Sequence, residues 1–182
     1  MMARSPIESE TTITELMIPA FANFGGKIHG GHLLSMMDKV AYACATKHSG
    51  LYCVTVSVDN VDFLQPVEVG DLVSMFGRIN YVGRSSMVVG IKVVAENVKD
   101  RHVKHTNTSY FTMVAKNEDG KVEEVPELLL ETKNEVRRFI EAIVRKYMKQ
   151  NFSREMKDVK KEFNIDHELK KLKNERCIIQ LK

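Results

Sequence analysis

The spacing of apolar and polar residues changes near residue 50, and this change separates a predicted helix from predicted strands. Residues 32–48 contain no helix breaker and carry small or apolar side chains on nearly every face. This pattern predicts a helix that is buried on most sides and that stops at Gly50. From residue 52 the repeat shortens to two, with valine at positions 54, 56 and 58, which is typical of a strand.

Three further strands are predicted after this first one, over residues 72–82, 86–98 and 103–115. The turns that separate them are short, and short connections favour antiparallel neighbours because a parallel crossover needs a dozen or more residues. We therefore predict an α+β fold in which one central helix is followed by an antiparallel meander. An antiparallel sheet with one apolar face can wrap around a helix of this kind.

The charge and the periodicity divide the chain into a domain over 1–130, a packing helix over 131–150 and a basic, helical extension over 151–182. Residues 1–130 hold 12 Lys and Arg against 15 Asp and Glu, whereas residues 131–182 hold 15 against 9. Acidic residues are interleaved throughout the basic part, as on a solvated helix. We therefore expect neither a nucleic acid nor a membrane as a partner.

The cysteines and the apolar runs bear on the cellular compartment. The three cysteines are widely spaced and form no metal or redox motif, so we predict free thiols in a reducing compartment. No apolar run is long enough to span a bilayer, and the first residues lack the basic and then apolar order of a secretory signal. We expect a cytoplasmic protein.

Asp38 is the most unusual residue, because it is the acidic group within an otherwise apolar helix. A buried carboxylate is costly and is often retained as a general base or nucleophile, although Asp38 could also mark the wet edge of the helix. The preceding segment NFGGKIHGG contains Asn23 and ends with Gly30 and Gly31. Backbone N–H groups at such a helix start can stabilise an oxyanion, but the same segment could be a plain flexible loop.

Other candidate sites have weaker support. His29, His32 and His48 fit no standard set of metal ligands, and there is no nucleophile elbow for a serine triad. The turn over residues 81–86 contains Arg84, Ser85 and Ser86. Such a turn can hold a phosphate, or it can be an ordinary solvated hairpin turn.

Four segments, in order, resemble the YciA-like acyl-CoA hydrolases of the hotdog superfamily: NFGGKIHGGHLLSMMD (23–38), VTVSVDNVDFLQPVEVGD (54–71), YVGRSSM (81–87) and YFTMVAKNEDGK (110–121). The resemblance implies a hotdog fold, in which an antiparallel sheet wraps a long central helix, here with a helical extension at the C-terminus. It also implies hydrolysis of acyl-CoA to a fatty acid and CoA at a site between two subunits.

The resemblance assigns roles to particular residues. Asn23 of one subunit and Asp38 of the facing subunit become the catalytic pair, and Arg84, Ser85 and Ser86 become contacts to CoA. With these roles, the N–H groups of Gly30 and Gly31 can donate to the thioester carbonyl while Asp38 activates water or attacks directly.

The resemblance further implies a homodimer, assembled as a trimer of dimers, that needs no metal or redox cofactor because CoA arrives with the substrate. Two other functions stay open. One is a hotdog sensor that binds acyl-CoA or a nucleotide without turnover. The other is a dehydratase, which the absence of a paired histidine and acid on the helix disfavours.

Overall fold

The computed structural model describes residues 2–161 and 163–181, and it contains one five-stranded antiparallel sheet. The strands are β1 (Thr11–Leu16), β2 (Tyr52–Val58), β3 (Asp71–Val82), β4 (Ser86–Asn97) and β5 (His102–Lys116). Their spatial order is β1-β3-β4-β5-β2, so β1 and β2 form the two edges of the sheet.

The long helix α2 (Gly30–Ser49) packs on the inner face of this sheet and supplies much of the core. Local residues determine where this helix begins and ends. The His29 side chain caps the start, and Gly50 ends the helix in the left-handed conformation, with φ of 72°. The guanidinium of Arg4 also donates to the carbonyl oxygens of Lys47 and His48, at 2.9 and 2.8 Å, which would otherwise lack partners at a helix end.

Gly77 lies where α2 packs closely against the sheet. A Cβ atom at position 77 would lie 2.3 Å from Cγ1 of Val40 and 2.8 Å from Sγ of Cys44. Only a residue without a side chain allows this approach. Strand β3, an interior strand of the sheet, therefore needs a glycine where it packs against the helix.

The predicted architecture, an antiparallel sheet around a long central helix, is confirmed, but two details differ. The segment over residues 11–16 forms the edge strand β1, which the sequence pattern did not identify as a strand. The prediction of one meander for all later strands was wrong for β2, which pairs with β5 and not with β3. The connection over residues 59–70 is long enough to cross the sheet, so sequence order did not decide the neighbour.

Helices account for the remaining regular structure: α1 (Pro6–Ser9), α3 (Lys133–Lys161) and α4 (Ile165–Glu168), with 3-10 turns at Pro19–Phe21 and Leu169–Asn174. The chain divides into two compact units, Met1–Ala142 and Ile143–Lys182. Helix α3 runs without interruption through residue 150, where a boundary was predicted. Residues 162 and 182 of the predicted extension lie outside the described residues. Within the described part, no helix is long and apolar enough to cross a bilayer.

Candidate active site

Asp38 and Thr55 meet where α2 passes the edge strand β2. The Thr55 hydroxyl donates a hydrogen bond to Oδ1 of Asp38 over 2.5 Å. The same hydroxyl oxygen lies 3.3 Å from the Met113 sulfur. A hydroxyl has only one proton to donate, so we assign that proton to Asp38 and treat the sulfur as a contact. The hydrogen bond holds Oδ1 of Asp38 and leaves Oδ2 available to another partner.

An open pocket of about 370 Å³ surrounds this pair. Its polar lining includes Asp38, Lys39 and Thr55, and its apolar lining includes Tyr42, Val54 and Met113. Tyr42 lies one helical turn beyond Asp38, so it faces the same side of α2. The pocket therefore places a carboxylate beside a largely apolar wall, an arrangement that suits a substrate with a polar reacting group and an apolar chain.

Asp38 is exposed in the single chain, at the edge of the helix, which is the alternative to burial that the sequence pattern left open. The neighbouring residue Met37 faces the core and is fully buried. Asp38 instead projects sideways toward β2, whose outer edge has no neighbouring strand in the sheet. The side chain is therefore at the boundary of the domain rather than inside it.

Asn23 lies in a tight loop, where it is exposed. Its Oδ1 atom accepts hydrogen bonds from the backbone N–H groups of Gly25, at 2.9 Å, and Lys27, at 3.2 Å. The side chain thus stabilises its own loop through its oxygen, which leaves the Nδ2 group as its remaining hydrogen-bonding group. Asn23 does not line the pocket at Asp38, so one chain does not bring the predicted catalytic pair together.

Gly30 and Gly31 form the first residues of α2, which begins two residues before the predicted start at residue 32, and their N–H groups differ in availability. The Gly31 N–H donates to Nδ1 of His29 over 2.9 Å, which is the helix cap. The Gly30 N–H makes no hydrogen bond to any residue that the structure describes. A Cβ atom on Gly30 would lie 3.3 Å from the Phe63 ring. Of the two predicted oxyanion donors, only the Gly30 N–H is therefore without a partner.

The turn with Arg84, Ser85 and Ser86 lies at the same end of the sheet as Thr55. Ser86 pairs with Val114 of β5, and Val114 pairs with Val54 of β2, so two strand spacings of about 10 Å in total separate the turn from β2. Arg84 and Ser85 line an open pocket of about 330 Å³ together with Glu123 and Glu124. The two glutamates weaken the attraction of Arg84 for an anion.

The three histidines have separate structural roles. His29 caps α2, and His32 stacks on the Phe21 ring with centroids 3.8 Å apart. His48 is buried at the other end of the helix, and Nε2 lies 3.0 Å from the carbonyl oxygen of Pro126. The two helix ends are about 28 Å apart. Among the described residues, no group of three potential ligands gathers closely enough to hold a metal ion.

Three groups with shifted acidity lie away from the pocket. Burial raises the pKa of the Cys44 thiol and lowers the pKa of His48. The backbone hydrogen bond from Glu131 is the largest of the effects that lower the pKa of Glu135. None of these three residues lines the pocket at Asp38. They therefore belong to the stability of the fold rather than to the site.

Thr55 is the site residue that the sequence pattern missed. In the pattern it was one polar position of an alternating strand, and alternation does not tell which neighbour an edge strand faces. The available signal was a hydroxyl side chain in the strand that directly follows the helix with the unusual aspartate.

Comparisons with known proteins agree with this geometry. Residues 25–101 match the Thioesterase superfamily. The chain is 47% identical over 134 residues to the protein VdlD of Helicobacter pylori, covering 74% of this chain and 76% of VdlD. It is 35% identical over 129 residues to the uncharacterized acyl-CoA thioester hydrolase YkhA of Bacillus subtilis, covering 71% and 75% of the two chains.

Solved structures agree as well. An apo-hexameric acyl-CoA thioesterase superimposes with a TM-score of 0.81 at 33% identity, over 84% of this chain and 98% of its own. An acyl-CoA hydrolase of Staphylococcus aureus, solved with butyryl-CoA and CoA, gives 0.78 at 30% identity, over 87% and 97%. That enzyme has also been solved with one aspartate, threonine or asparagine replaced by alanine. The chain therefore belongs to the acyl-CoA thioester hydrolases of the thioesterase, or hotdog, superfamily.

Proposed function

We propose that Asp38, held in place by Thr55, performs the reaction of this acyl-CoA thioesterase. The hydrogen bond of 2.5 Å between Thr55 Oγ1 and Asp38 Oδ1 carries this proposal. It holds Oδ1 of the carboxylate, and Oδ2 is the oxygen that a water molecule or the thioester carbon approaches in the pocket. Thr55 is then a positioning residue and Asp38 the catalytic residue.

Two routes use the same carboxylate. As a general base, Asp38 takes a proton from water while the water oxygen attacks the thioester carbon. As a nucleophile, Oδ2 attacks the carbon itself, and water then hydrolyses the mixed anhydride. In both routes the C–S bond breaks, the CoA thiolate takes up a proton, and the acyl group leaves as a carboxylate. Neither route needs a metal or redox cofactor.

The variants of the Staphylococcus aureus enzyme support the choice of residues. Its replaced asparagine and aspartate are 15 positions apart, and its aspartate and threonine are 17 apart. Asn23 and Asp38 are separated by the same 15 positions, and Asp38 and Thr55 by the same 17. We therefore assign Asn23, Asp38 and Thr55 to one active site.

Asn23 and Gly30 serve as donors to the thioester oxygen in this proposal. Oδ1 of Asn23 is occupied by its own loop, so the Nδ2 group is the part of the side chain that can act on the substrate. The Gly30 N–H at the helix start is the second donor, and the helix dipole adds to its effect. The Gly31 N–H keeps the His29 cap in place instead.

The partner subunit supplies Asn23 and Gly30 and closes the pocket, because Gly30 lies about 12 Å along α2 from Asp38 of its own chain. Strand β2 is an edge strand, and Tyr52, Val56 and Val58 on it are 59%, 56% and 42% exposed. An apolar edge with unpaired backbone groups is the kind of surface that a second chain covers. Two β2 strands paired about a twofold axis would remove water from Asp38 on both subunits. We propose that three such dimers form a hexamer, in line with the hexameric relatives.

CoA lies along the turn of Arg84, Ser85 and Ser86 in this arrangement, with its acyl chain against Tyr42 and Val54. The pantetheine arm can bridge the distance of about 10 Å between the turn and β2. Because Glu123 and Glu124 lie beside Arg84, we assign Arg84 a contact to CoA that is weaker than a free arginine would make.

Release of CoA thiol from purified protein tests the proposal. We expect Asp38→Asn to lower kcat by about 10² to 10⁴, because an amide neither accepts the proton nor attacks. Thr55→Ala should lower kcat by up to about 10², because the carboxylate loses its orientation, and Thr55→Ser should restore most of the rate. Folding and oligomer size should stay unchanged in all three variants.

An active Asp38→Asn protein would contradict the proposal. A wild-type protein that binds CoA and releases no thiol from acyl-CoA of any chain length would instead fit a binding sensor.

A further inference from the structure

Two tyrosine rings from different elements meet in the lining of the Asp38 pocket. Tyr42 belongs to α2 and Tyr52 to β2, and both line this pocket. Their ring centroids are 6.3 Å apart, and the rings are tilted by 60° to each other. Tilted aromatic pairs with centroids about 4.5 to 7 Å apart make favourable contacts, so each ring stabilises the position of the other. We call Tyr42 and Tyr52 the tyrosine pair.

Both rings lie on the same side of the reacting carboxylate. Asp38 contacts Thr55, and Tyr42 contacts Tyr52, so β2 runs back along α2 in the opposite direction. Tyr42 is one turn, or about 6 Å, beyond Asp38 along the helix. Tyr52 is three residues, or about 10 Å, from Thr55 along the strand. An acyl group that extends from Asp38 toward the C-terminal end of α2 therefore meets the tyrosine pair.

The floor of the pocket is closed toward the core. Cys53 and Met113 line the pocket, and they are only 2% and 1% exposed. The Cys53 sulfur lies 3.3 Å from the Ser49 hydroxyl oxygen. Because protein interiors are close-packed, an acyl chain cannot pass between these residues without displacing them. The space open to the chain therefore lies between α2 and β2, along the line from Asp38 to the tyrosine pair.

The distance from Asp38 to the tyrosine pair limits the length of the acyl group. Carbon–carbon bonds of about 1.5 Å give an extended hydrocarbon chain about 1.3 Å per carbon. The rise of about 6 Å between Asp38 and Tyr42 therefore accommodates about four or five carbons. Side chains on a helix lean toward its N-terminus, so the Tyr42 ring leans toward Asp38 and does not lengthen this space.

We propose that Tyr42 and Tyr52 set the chain-length preference of the thioesterase and restrict it to short acyl groups, of about six carbons or fewer. This inference rests on the proposed function, because it assigns the acyl group to the pocket at Asp38. A longer acyl group has to push the rings apart or leave its end in water, and either weakens binding. The rings contact the acyl chain and not the reacting carbonyl, so they determine specificity and are not catalytic.

Release of CoA thiol from butyryl-, hexanoyl-, octanoyl- and decanoyl-CoA by the full-length oligomer tests this proposal. We expect the wild-type kcat/KM to fall by about tenfold or more between butyryl-CoA and octanoyl-CoA. Tyr42→Ala should raise kcat/KM for octanoyl-CoA by about tenfold and leave the value for butyryl-CoA within about threefold. The gain should lie mainly in KM, because the substitution removes an obstacle to binding and leaves the reacting groups in place.

Further variants of the tyrosine pair separate the bulk of the ring from its hydroxyl. Tyr42→Phe keeps the ring, so its chain-length profile should equal that of the wild type. Tyr52→Ala opens the same space from the strand and should shift the preference in the same direction as Tyr42→Ala. Tyr42→Leu keeps some apolar surface, so it should show a smaller gain and replaces Tyr42→Ala if that variant fails to assemble.

Tyr147→Ala is the matched control. Tyr147 is 64% exposed on α3 and does not line the pocket, so its removal should leave the chain-length profile unchanged. Size-exclusion chromatography of every variant checks that the oligomer keeps its wild-type size.

Three results would overturn this inference and leave the proposed function intact. One is a wild type that hydrolyses decanoyl-CoA as well as butyryl-CoA. Another is an unchanged profile in both Tyr42→Ala and Tyr52→Ala. The third is an equal shift in Tyr42→Phe and Tyr42→Ala, which would place the selectivity in the hydroxyl. A wild type that releases no thiol from any of the four substrates would contradict the proposed function as well.

Discussion

One hydrogen bond and the access of water determine the environment of the Asp38 carboxylate. In the single chain the carboxylate is held by Thr55 on one side and open to water on the other. A second subunit over β2 would exclude that water and leave the carboxylate facing the substrate. The proposed chemistry therefore depends on assembly, because the residue itself is only half enclosed by its own fold.

His48 predicts how stability should change with pH. Its ring is 1% exposed, and the Nδ1 atom is buried without a partner, so a proton there would bring an unpaired charge into the interior. Burial accordingly lowers the pKa of His48 from its usual 6.5. Below that pH the unfolded chain binds more protons than the folded chain, so stability should fall as pH decreases through 6.5.

Urea unfolding at a series of pH values between about 7.5 and 5 measures this effect. His48→Gln can still donate to the Pro126 carbonyl but does not titrate, so its stability should decline less over the same range. If the free energy of unfolding changed equally with pH in the wild type and in His48→Gln, other titrating groups would account for the pH dependence.

Packing between α2 and β3 gives a prediction at the level of elements. In Gly77→Ala the new Cβ would overlap Cγ1 of Val40, so the helix must move away from the sheet or change rotamers. We expect a loss of about 1 to 3 kcal/mol in the free energy of unfolding. Val40→Ala removes the clashing methyl groups, so the double variant should be more stable than the sum of the two single losses implies.

Chemical denaturation of the four proteins in this cycle gives the coupling directly. A Gly77→Ala protein as stable as the wild type would show that the helix can shift without cost. Strictly additive losses would place the strain elsewhere than at Val40.

The elements with local signals could be predicted from the sequence, and those set by distant pairing could not. The extent of α2 followed from its apolar residues and from Gly50, and β3, β4 and β5 followed from alternation and short turns. The place of β2 beside β5 depends on a long connection with no local signal. Thr55 was missed for the same reason, since its role arises only when β2 lies next to α2.

The proposed site shows the same division. Asp38, Asn23 and the glycines at the helix start were identified from residue type and resemblance. The occupation of the Gly31 N–H by His29 and the exposure of Asp38 required coordinates. Alternation cannot reveal the position of Asn80 either, because a bulge shifts the register of β3 between Ile79 and Tyr81.

The proposed twofold axis between two subunits makes the shared site testable. If the site combines Asp38 and Thr55 of one subunit with Asn23 of the other, each dimer has two sites and each site needs both chains. Asp38→Asn and Asn23→Ala each damage both sites of their own homodimer. In a mixed dimer, however, one site receives both damaged groups and the other site is intact.

Equal amounts of the two variants, unfolded together and refolded, should therefore recover about a quarter of wild-type activity, since half of the dimers are mixed and each has one intact site. A mixture of Asp38→Asn with Thr55→Ala is the matched control. Those two residues are joined by a hydrogen bond within one chain, so both sites of the mixed dimer stay damaged and little activity should return. Recovery in the control, or none in the first mixture, would place Asn23 and Asp38 of one site on the same subunit.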